Sequence, residues 1–234
     1  MDIAALRKRD ADLYARLPGF MLKGEHFVLA NAMFHPGRLL NELNAMNFII
    51  DHESEPFCLK TICDIYAALT KGTEFEGKSF KKRNVFVSDK NRKYLFVTAA
   101  AEDTPAEIER ICKDFSHLDN PRDENLDDML RFILMLMLIH PFEDGNGRFA
   151  SVVLQFLMQK AHFRCAPFLP VDYLRYGYQM NLFAKHIVYA SGAFYGHRPV
   201  RSDRFVPYMW DVIDNAYGFL EKAVKRCEIS ASRN

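Results

Sequence analysis

Leu130-Arg-Phe-Ile-Leu-Met-Leu-Met-Leu-Ile139 runs without a break into His140-Pro-Phe-Glu-Asp-Gly-Asn-Gly-Arg148. The first ten residues carry a single charge, Arg131, and are apolar nearly all round. A helix of that composition is sheathed by its neighbours and not laid on a surface. Its uninterrupted apolar part, Phe132 to Ile139, is far shorter than the roughly 20 residues a bilayer span needs. The stretch therefore predicts the central rod of a helical protein. Pro141 ends the rod, because the residue before a proline disfavours the α region.

Outward from this rod the apolar periodicity stays helical. It predicts helices at about 2–17, 36–47, 57–71, 105–118, 124–139, 147–162, 170–190 and 203–225, with 226–234 as a frayed tail. Thr104-Pro105 places a proline at the start of the fourth, and Asp123 or Asn125 is suited to cap the fifth. One segment breaks the rule. Asn84–Ser88 and Lys93–Thr98 are β-branched and aromatic around a polar Asp-Lys-Asn-Arg turn, a hairpin pattern. Such a hairpin either connects two helices or offers an unpaired edge to an extended peptide. The basic residues beside it, Lys81-Lys-Arg83 and Lys90 to Lys93, read as charge protecting an exposed edge, with contact to a nucleotide or acidic target as the alternative.

The chain has 234 residues, of which 49% are hydrophobic and 13% aromatic, ample for one sizeable core. With only 11 glycines and 10 prolines it is poor in turn formers, against a sandwich of many short strands. A net charge of +1 lacks the basic excess on which duplex binding rests, so no nucleic-acid partner is expected. Five cysteines form no CxxC pair, ordinary usage for a reducing compartment. The charged amphipathic start carries no signal-peptide core, and no membrane partner is expected. A cytoplasmic location follows, with delivery by a specialised secretion system left open. The expected class is all-α with a small hairpin near 84–98. Residues 1–56 form an N-terminal helical extension, 57–190 the core, and 191–234 a C-terminal helix and tail of one compact domain.

Two segments look suited to phosphate. Gly72-Thr-Glu-Phe-Glu-Gly-Lys-Ser79 matches G-x-x-x-x-G-K-[ST], but a P-loop needs a strand before it and a helix after it. Here a helix precedes and a strand follows, and Glu74 and Glu76 would repel the anion, so the segment reads as a turn. In the second segment each residue has a role. Phe142, apolar in a polar loop, anchors that loop to the core. Gly145 and Gly147 permit positive φ and close approach of backbone N–H groups to a ligand. Those groups open helix 147–162, a ready anion site, and Arg148 adds a planar fork for phosphate oxygens. His140 titrates near neutrality and Asp144 is a hard oxygen ligand suited to Mg²⁺. A proton acceptor, a cation ligand and an anion nest together outfit a phosphoryl-transfer site. The other histidines, among them His26, His35, His52, His117, His162, His186 and His197, fall into no metal spacing. Tyr173, Tyr176 and Tyr178 read equally as core or as a wall for a stacked base.

HPFEDGNGR resembles the signature of the Fic (filamentation induced by cAMP) domain family, H-P-F-x-[D/E]-G-N-G-R-x-x-R, unbroken over nine positions. The resemblance takes in roughly residues 57–185, with the apolar helix before the motif, a hairpin in the place of the family's flap and a helix containing Tyr178 after it. It implies a Fic-type helical bundle that transfers AMP from ATP to a Ser, Thr or Tyr hydroxyl of a target protein with Mg²⁺. By resemblance His140 is the base, Asp144 the metal ligand, and Gly145, Asn146, Gly147 and Arg148 the phosphate cradle. The hairpin, with Asn84, Val85, Phe86 and Val87, would align the target as an added strand.

Two departures qualify what the resemblance implies. Ser151 stands where the pattern has its second arginine, so a donor other than ATP (UTP, GTP, CDP-choline) or transfer of a phosphate is the alternative. The family's inhibitory [S/T]-x-x-x-E-[G/N] segment has no counterpart, since Glu76-Gly77 and Glu124-Asn125 are preceded four residues earlier by Gly72 and Asn120. A separate inhibitor protein is then a possible partner. A helical binding module that retains the motif is the reading from outside enzymology, and oligomeric state is not legible.

Overall fold

The computed structural model describes residues 1–16, 39–88, 94–164 and 202–231. Within them the chain builds α1 (Ile3–Arg16), α2 (Leu39–Asp51), α3 (Leu59–Thr70), β1 (Phe86–Ser88), β2 (Tyr94–Val97), α4 (Thr104–Asp114), α5 (Leu126–Ile139), α6 (Asn146–Lys160) and α7 (Ser202–Ala231). Short 3₁₀ turns at Ser116–Asp119 and Asp123–Asn125 lead from α4 into α5. The all-helical reading with a minor hairpin holds. The helix expected at 170–190, with Tyr173, Tyr176 and Tyr178, lies outside the described residues.

The central rod is where the sequence put it. In α5 the residues Leu126, Met129, Leu130, Phe132, Ile133, Leu134, Leu136, Met137, Leu138 and Ile139 are all buried. The next helix, α6, is enclosed as thoroughly, from Phe149 through Gln159, with Gln155 and Gln159 inside the core. α2 and α3 pack on α6, while α4 and α7 pack on α5. Phe132 receives Phe57 and Phe115 edge-on at 4.9 and 5.8 Å, closing the core between α3's approach and the end of α4.

Four boundaries differ from expectation. α2 ends at Asp51, four residues beyond 47, because Ile49 is fully buried and draws the last turn inward. α4 stops at Asp114, where Phe115 donates its N–H to the Ile111 carbonyl and the chain tightens into a 3₁₀ turn. Asn125 stands at the N-terminus of α5 but makes no side-chain cap; its Oδ1 accepts the Arg122 N–H at 2.7 Å instead. The tail is the largest correction: α7 continues to Ala231. Its end is held by Arg16 on α1, whose guanidinium pairs with Glu228 at 2.9 and 3.0 Å.

The N-terminal helix is tied to α7 by polar groups. Arg9 grips both oxygens of Glu221 at 2.6 and 2.8 Å and reaches Asp214 at 2.6 Å. Asp10, buried, accepts from the Tyr217 hydroxyl at 2.6 Å and from the Arg164 backbone N–H at 2.7 Å. A buried carboxylate satisfied in this way costs far less than one left unpaired. α7 reaches α5 through Trp210, whose indole N–H donates to Asp127 at 2.7 Å.

The hairpin is antiparallel, pairing Phe86 with Val97, Val87 with Phe96 and Ser88 with Tyr94. Leu95 is the extra residue of a bulge at Val87/Ser88, which bends the ribbon. The segment Gly72–Ser79 is a turn, as read. It follows α3, Gly72 and Gly77 take φ of 77° and 70°, and the Gly72 N–H is spent on Glu76 at 2.8 Å. Among the described residues no helix is long and apolar enough to cross a membrane.

Candidate active site

The end of α5 and the start of α6 place His140 and Arg148 on one tight loop. His140 caps the C-terminal end of the rod, directly after Ile139. Its N–H closes the final helical bond to Leu136 at 3.0 Å, and its backbone turns left-handed at φ 54° and ψ 66°. Only glycine enters that region freely, so a histidine there carries strain that the surroundings must hold. The chain leaves α5 within one residue as a result, ahead of Pro141.

Phe142 packs into the core beside α3 and α6. Its ring is 2% exposed and lies flat on Tyr66 of α3, centroids 3.4 Å apart and planes 3° apart. Phe149 meets it edge-on at 5.0 Å and Phe80 covers it at 5.6 Å. Asn146 locks the loop from the other side. Its Oδ1 accepts the Phe142 N–H at 2.9 Å and its Nδ2 donates to the Phe142 carbonyl at 2.8 Å. The Asn146 carboxamide is thus buried and spent inside the loop, and what it offers a phosphate is its backbone N–H.

Gly145 takes φ 80° just before α6, where an added Cβ would stand 3.4 Å from the Arg148 guanidinium. Gly147 lies in the first turn of α6 and does not use positive φ. The first intrahelical bond runs from Phe149 N–H to Gly145, so the N–H groups of Asn146, Gly147 and Arg148 have no acceptor within the helix. They form an anion cradle at a positive helix end. Arg148 is mostly covered, its side chain 14% exposed, and its Nη2 lies 3.4 Å from Asp144.

Asp144 keeps its carboxylate exposed while Tyr66 donates its hydroxyl to the Asp144 carbonyl at 3.2 Å. Burial, with the charge of Asp144, pushes the Tyr66 phenol up to about 12, so it remains a donor across the physiological range. Among the described residues no cluster of three metal-ligating side chains exists. An Mg²⁺ ion does not need one, since it takes one or two carboxylates and completes its shell with phosphate oxygens and water. The exposed Asp144 carboxylate beside an anion cradle fits that description.

His140 is electrostatically unusual. Its Nδ1 is enclosed and, among the described residues, makes no well-formed hydrogen bond. Burial, reinforced by the ammonium of Lys81, pushes the imidazole down to about 4, against upward pulls from the Met137 backbone and Asp144. The ring is therefore neutral at pH 7.

The sequence assigned Lys81 to an exposed basic edge. The structure corrects this: Lys82 and Arg83 are exposed, whereas Lys81 is 2% exposed. Lys81 Nζ donates to Thr98 Oγ1 and to the Ile139 carbonyl, each at 2.9 Å, and its backbone N–H donates to Pro141 at 2.9 Å. Neither Lys81 nor Tyr66 was identified from the sequence. Three adjacent basic residues give no periodic signal to single one out, and Tyr66 reads as one more core position of α3. Asn84 receives the Ala101 N–H at 2.7 Å and Val85 receives the Thr98 hydroxyl at 2.6 Å, closing the hairpin's base. Phe86 and Val87 lie in β1. His52 and His117 are engaged singly, with the Phe48 carbonyl and Asp128, while His26, His35, His186 and His197 lie outside the described residues.

With this geometry in hand, the comparisons with known proteins point one way. Residues 56–158 match the Fic/DOC family. The chain is similar in structure to a Fic domain containing signalling protein from Bacteroides thetaiotaomicron, with a TM-score of 0.60 and 17% identity over 96% of this chain and 88% of that one. It is similar also to a Fic family protein from Desulfovibrio desulfuricans, with a TM-score of 0.56 and 16% identity over 94% of this chain. This chain spans 63% of that second protein. No curated protein matches. The resemblance drawn from HPFEDGNGR thus holds, and at these identities the solved structures bear on the fold alone.

Proposed function

We propose that this chain, whose Fic/DOC segment is built around the loop His140–Arg148, is a protein adenylyltransferase. The observation that carries the reading is the convergence, within nine residues, of a neutral, half-buried imidazole, an exposed carboxylate and a helix-end cradle backed by Arg148. A target Ser, Thr or Tyr hydroxyl attacks the α-phosphorus of ATP. One P–O bond forms, the bond to the bridging oxygen of the β-phosphate breaks, and pyrophosphate leaves.

With Nδ1 enclosed, Nε2 of His140 receives the hydroxyl proton. The nearby negative charge of Asp144, and of the polyphosphate itself, favours the imidazolium as it forms. The N–H groups of Asn146, Gly147 and Arg148 meet the phosphate oxygens without reorganisation. Asp144 would hold Mg²⁺, whose chemistry when bound is to neutralise phosphate charge. The hairpin's free edge accepts the target segment as an added strand. The chain's work is positioning, proton removal and charge stabilisation.

The test is labelled ATP with Mg²⁺, reading label on the protein itself and on candidate targets. Losing a general base costs about 10²–10⁴ in rate. Equal labelling by the wild type and His140→Ala would reject the reading.

A second reading rests on Ser151. It is 6% exposed and its hydroxyl is back-bonded to the Gly147 carbonyl at 3.1 Å, so this position offers a distal phosphate no guanidinium. A donor with a shorter phosphate chain or another base loses least. Thermal shifts with ATP, GTP, UTP, CTP and CDP-choline discriminate: a ligand at 100 times its Kd stabilises by about 2.7 kcal/mol. Clear preference for ATP rejects this second reading, and Ser151→Arg tightens ATP binding if the missing fork is what limits it.

A further inference from the structure

Lys81 is one of the few buried charged groups among the described residues. It reaches its place at a cost, because burial pushes the ammonium down to about 8, and among the described residues no carboxylate pairs with it. A leucine or methionine would fill the same space without that penalty. What the lysine supplies is a set of directed bonds. Its side chain holds the Ile139 carbonyl and its backbone holds the Pro141 carbonyl, each at 2.9 Å, so it grips the residues on both sides of His140. The same ammonium holds Thr98, at the exit of β2, and the Thr98 hydroxyl passes the link to Val85, at the entrance of β1. The left-handed backbone of His140 is a conformation its surroundings must enforce, and Lys81 bonds on either side of it.

We propose that Lys81 is a positioning residue for the transfer reaction: it bolts the base of the hairpin to the peptide units flanking His140, so that the edge aligning the target and the base taking its proton are held as one body. The role rests on the transferase reading; the mechanical link stands apart from it. A misplacement of about 1 Å between such elements costs about 10²-fold in rate, which makes a dedicated fastener worth the burial of a charge.

The experiment uses the full chain and three variants: Lys81→Met, Thr98→Val and Thr98→Ser. Hydrogen exchange is followed over 84–98 and 140–145, alongside transfer kinetics measured well below each variant's Tm. In Lys81→Met both segments exchange at least tenfold faster together, and kcat for transfer to protein falls at least tenfold while the KM for nucleotide stays within twofold. Thr98→Val loosens the hairpin and lowers kcat in the same sense, and Thr98→Ser, which keeps the hydroxyl, restores both. Faster exchange in only one of the two segments of Lys81→Met overturns the link. Unchanged kcat with both segments loosened overturns the positioning role. Should Lys81→Met fail to fold, the Thr98 pair decides, and equal behaviour of Val and Ser there overturns the proposal. A wild type that transfers from no donor sinks the transferase reading, while the exchange results still decide the link.

Discussion

Replacing Asn146 by alanine removes two hydrogen bonds that close the loop on itself, those to the Phe142 N–H and carbonyl at 2.9 and 2.8 Å. Both lie in buried surroundings, so the loss leaves a donor and an acceptor unsatisfied. Each such orphan costs about 1–3 kcal/mol, which makes the expected loss about 2–6 kcal/mol. In a domain of this size 1 kcal/mol moves Tm by about 2–4 °C, so a central loss of 4 kcal/mol lowers it by about 8–16 °C. Asn146→Asp sharpens the test. The carboxylate still accepts from the Phe142 N–H but sets a second oxygen against the Phe142 carbonyl, and only the protonated acid can donate there. Its pKa in the folded state is raised above the unfolded value, so stability is recovered below the ordinary aspartate range and lost as pH rises through the folded pKa. Urea denaturation of the three proteins between pH 4 and 8 measures all of this. A loss under 1 kcal/mol for Asn146→Ala, or no pH difference between Asn146→Asp and Asn146→Ala, refutes the claim that this carboxamide shapes the loop.

Other expectations follow from the same geometry. His140 has a folded pKa of about 4 against 6.5, so its contribution is complete above about pH 6.5 and is lost as pH falls toward 4. The difference is worth about 3 kcal/mol, and it vanishes in His140→Ala; equal pH slopes for the two proteins contradict it. Tyr66→Phe keeps the stack on Phe142 and loses the bond to Asp144, costing about 0.5–1.5 kcal/mol, whereas Tyr66→Ala costs about 3–5 kcal/mol; similar losses contradict the stack as anchor. Arg9→Met severs the tie of α1 to α7 for about 1–2 kcal/mol after screening, and the loss shrinks in high salt; a salt-independent loss points to packing alone.

Much of the fold is legible in a few residues. An apolar run from Phe132 to Ile139 admits hardly any place but the centre of a bundle, and α5 is there. A β-branched pair of segments among helices marks the hairpin. The loop chemistry is readable because each of its residue types has a distinct role. What stays hidden depends on three-dimensional neighbours. Gln155 and Gln159 disguise α6 as amphipathic although nearly all of it is buried. The last turns of α7 carry no apolar pattern strong enough to announce them, since Arg16 holds Glu228 from far away in the chain. Lys81 looks like its exposed neighbours until the hairpin folds over it. Asn146 sits in a motif associated with phosphate, and only the geometry reveals that its side chain serves the loop.

On the proposed function, the loop from His140 to Arg148 moves a nucleotide onto a protein hydroxyl, with His140 taking the proton. Intact mass spectrometry of the purified chain, alone and with target proteins, after incubation with Mg²⁺ and each nucleotide donor, tests it directly. The expected result is a mass increment of one nucleoside monophosphate that depends on Mg²⁺ and disappears in His140→Ala while that variant still binds the nucleotide. An increment that persists undiminished in His140→Ala, or no increment with any donor, contradicts it.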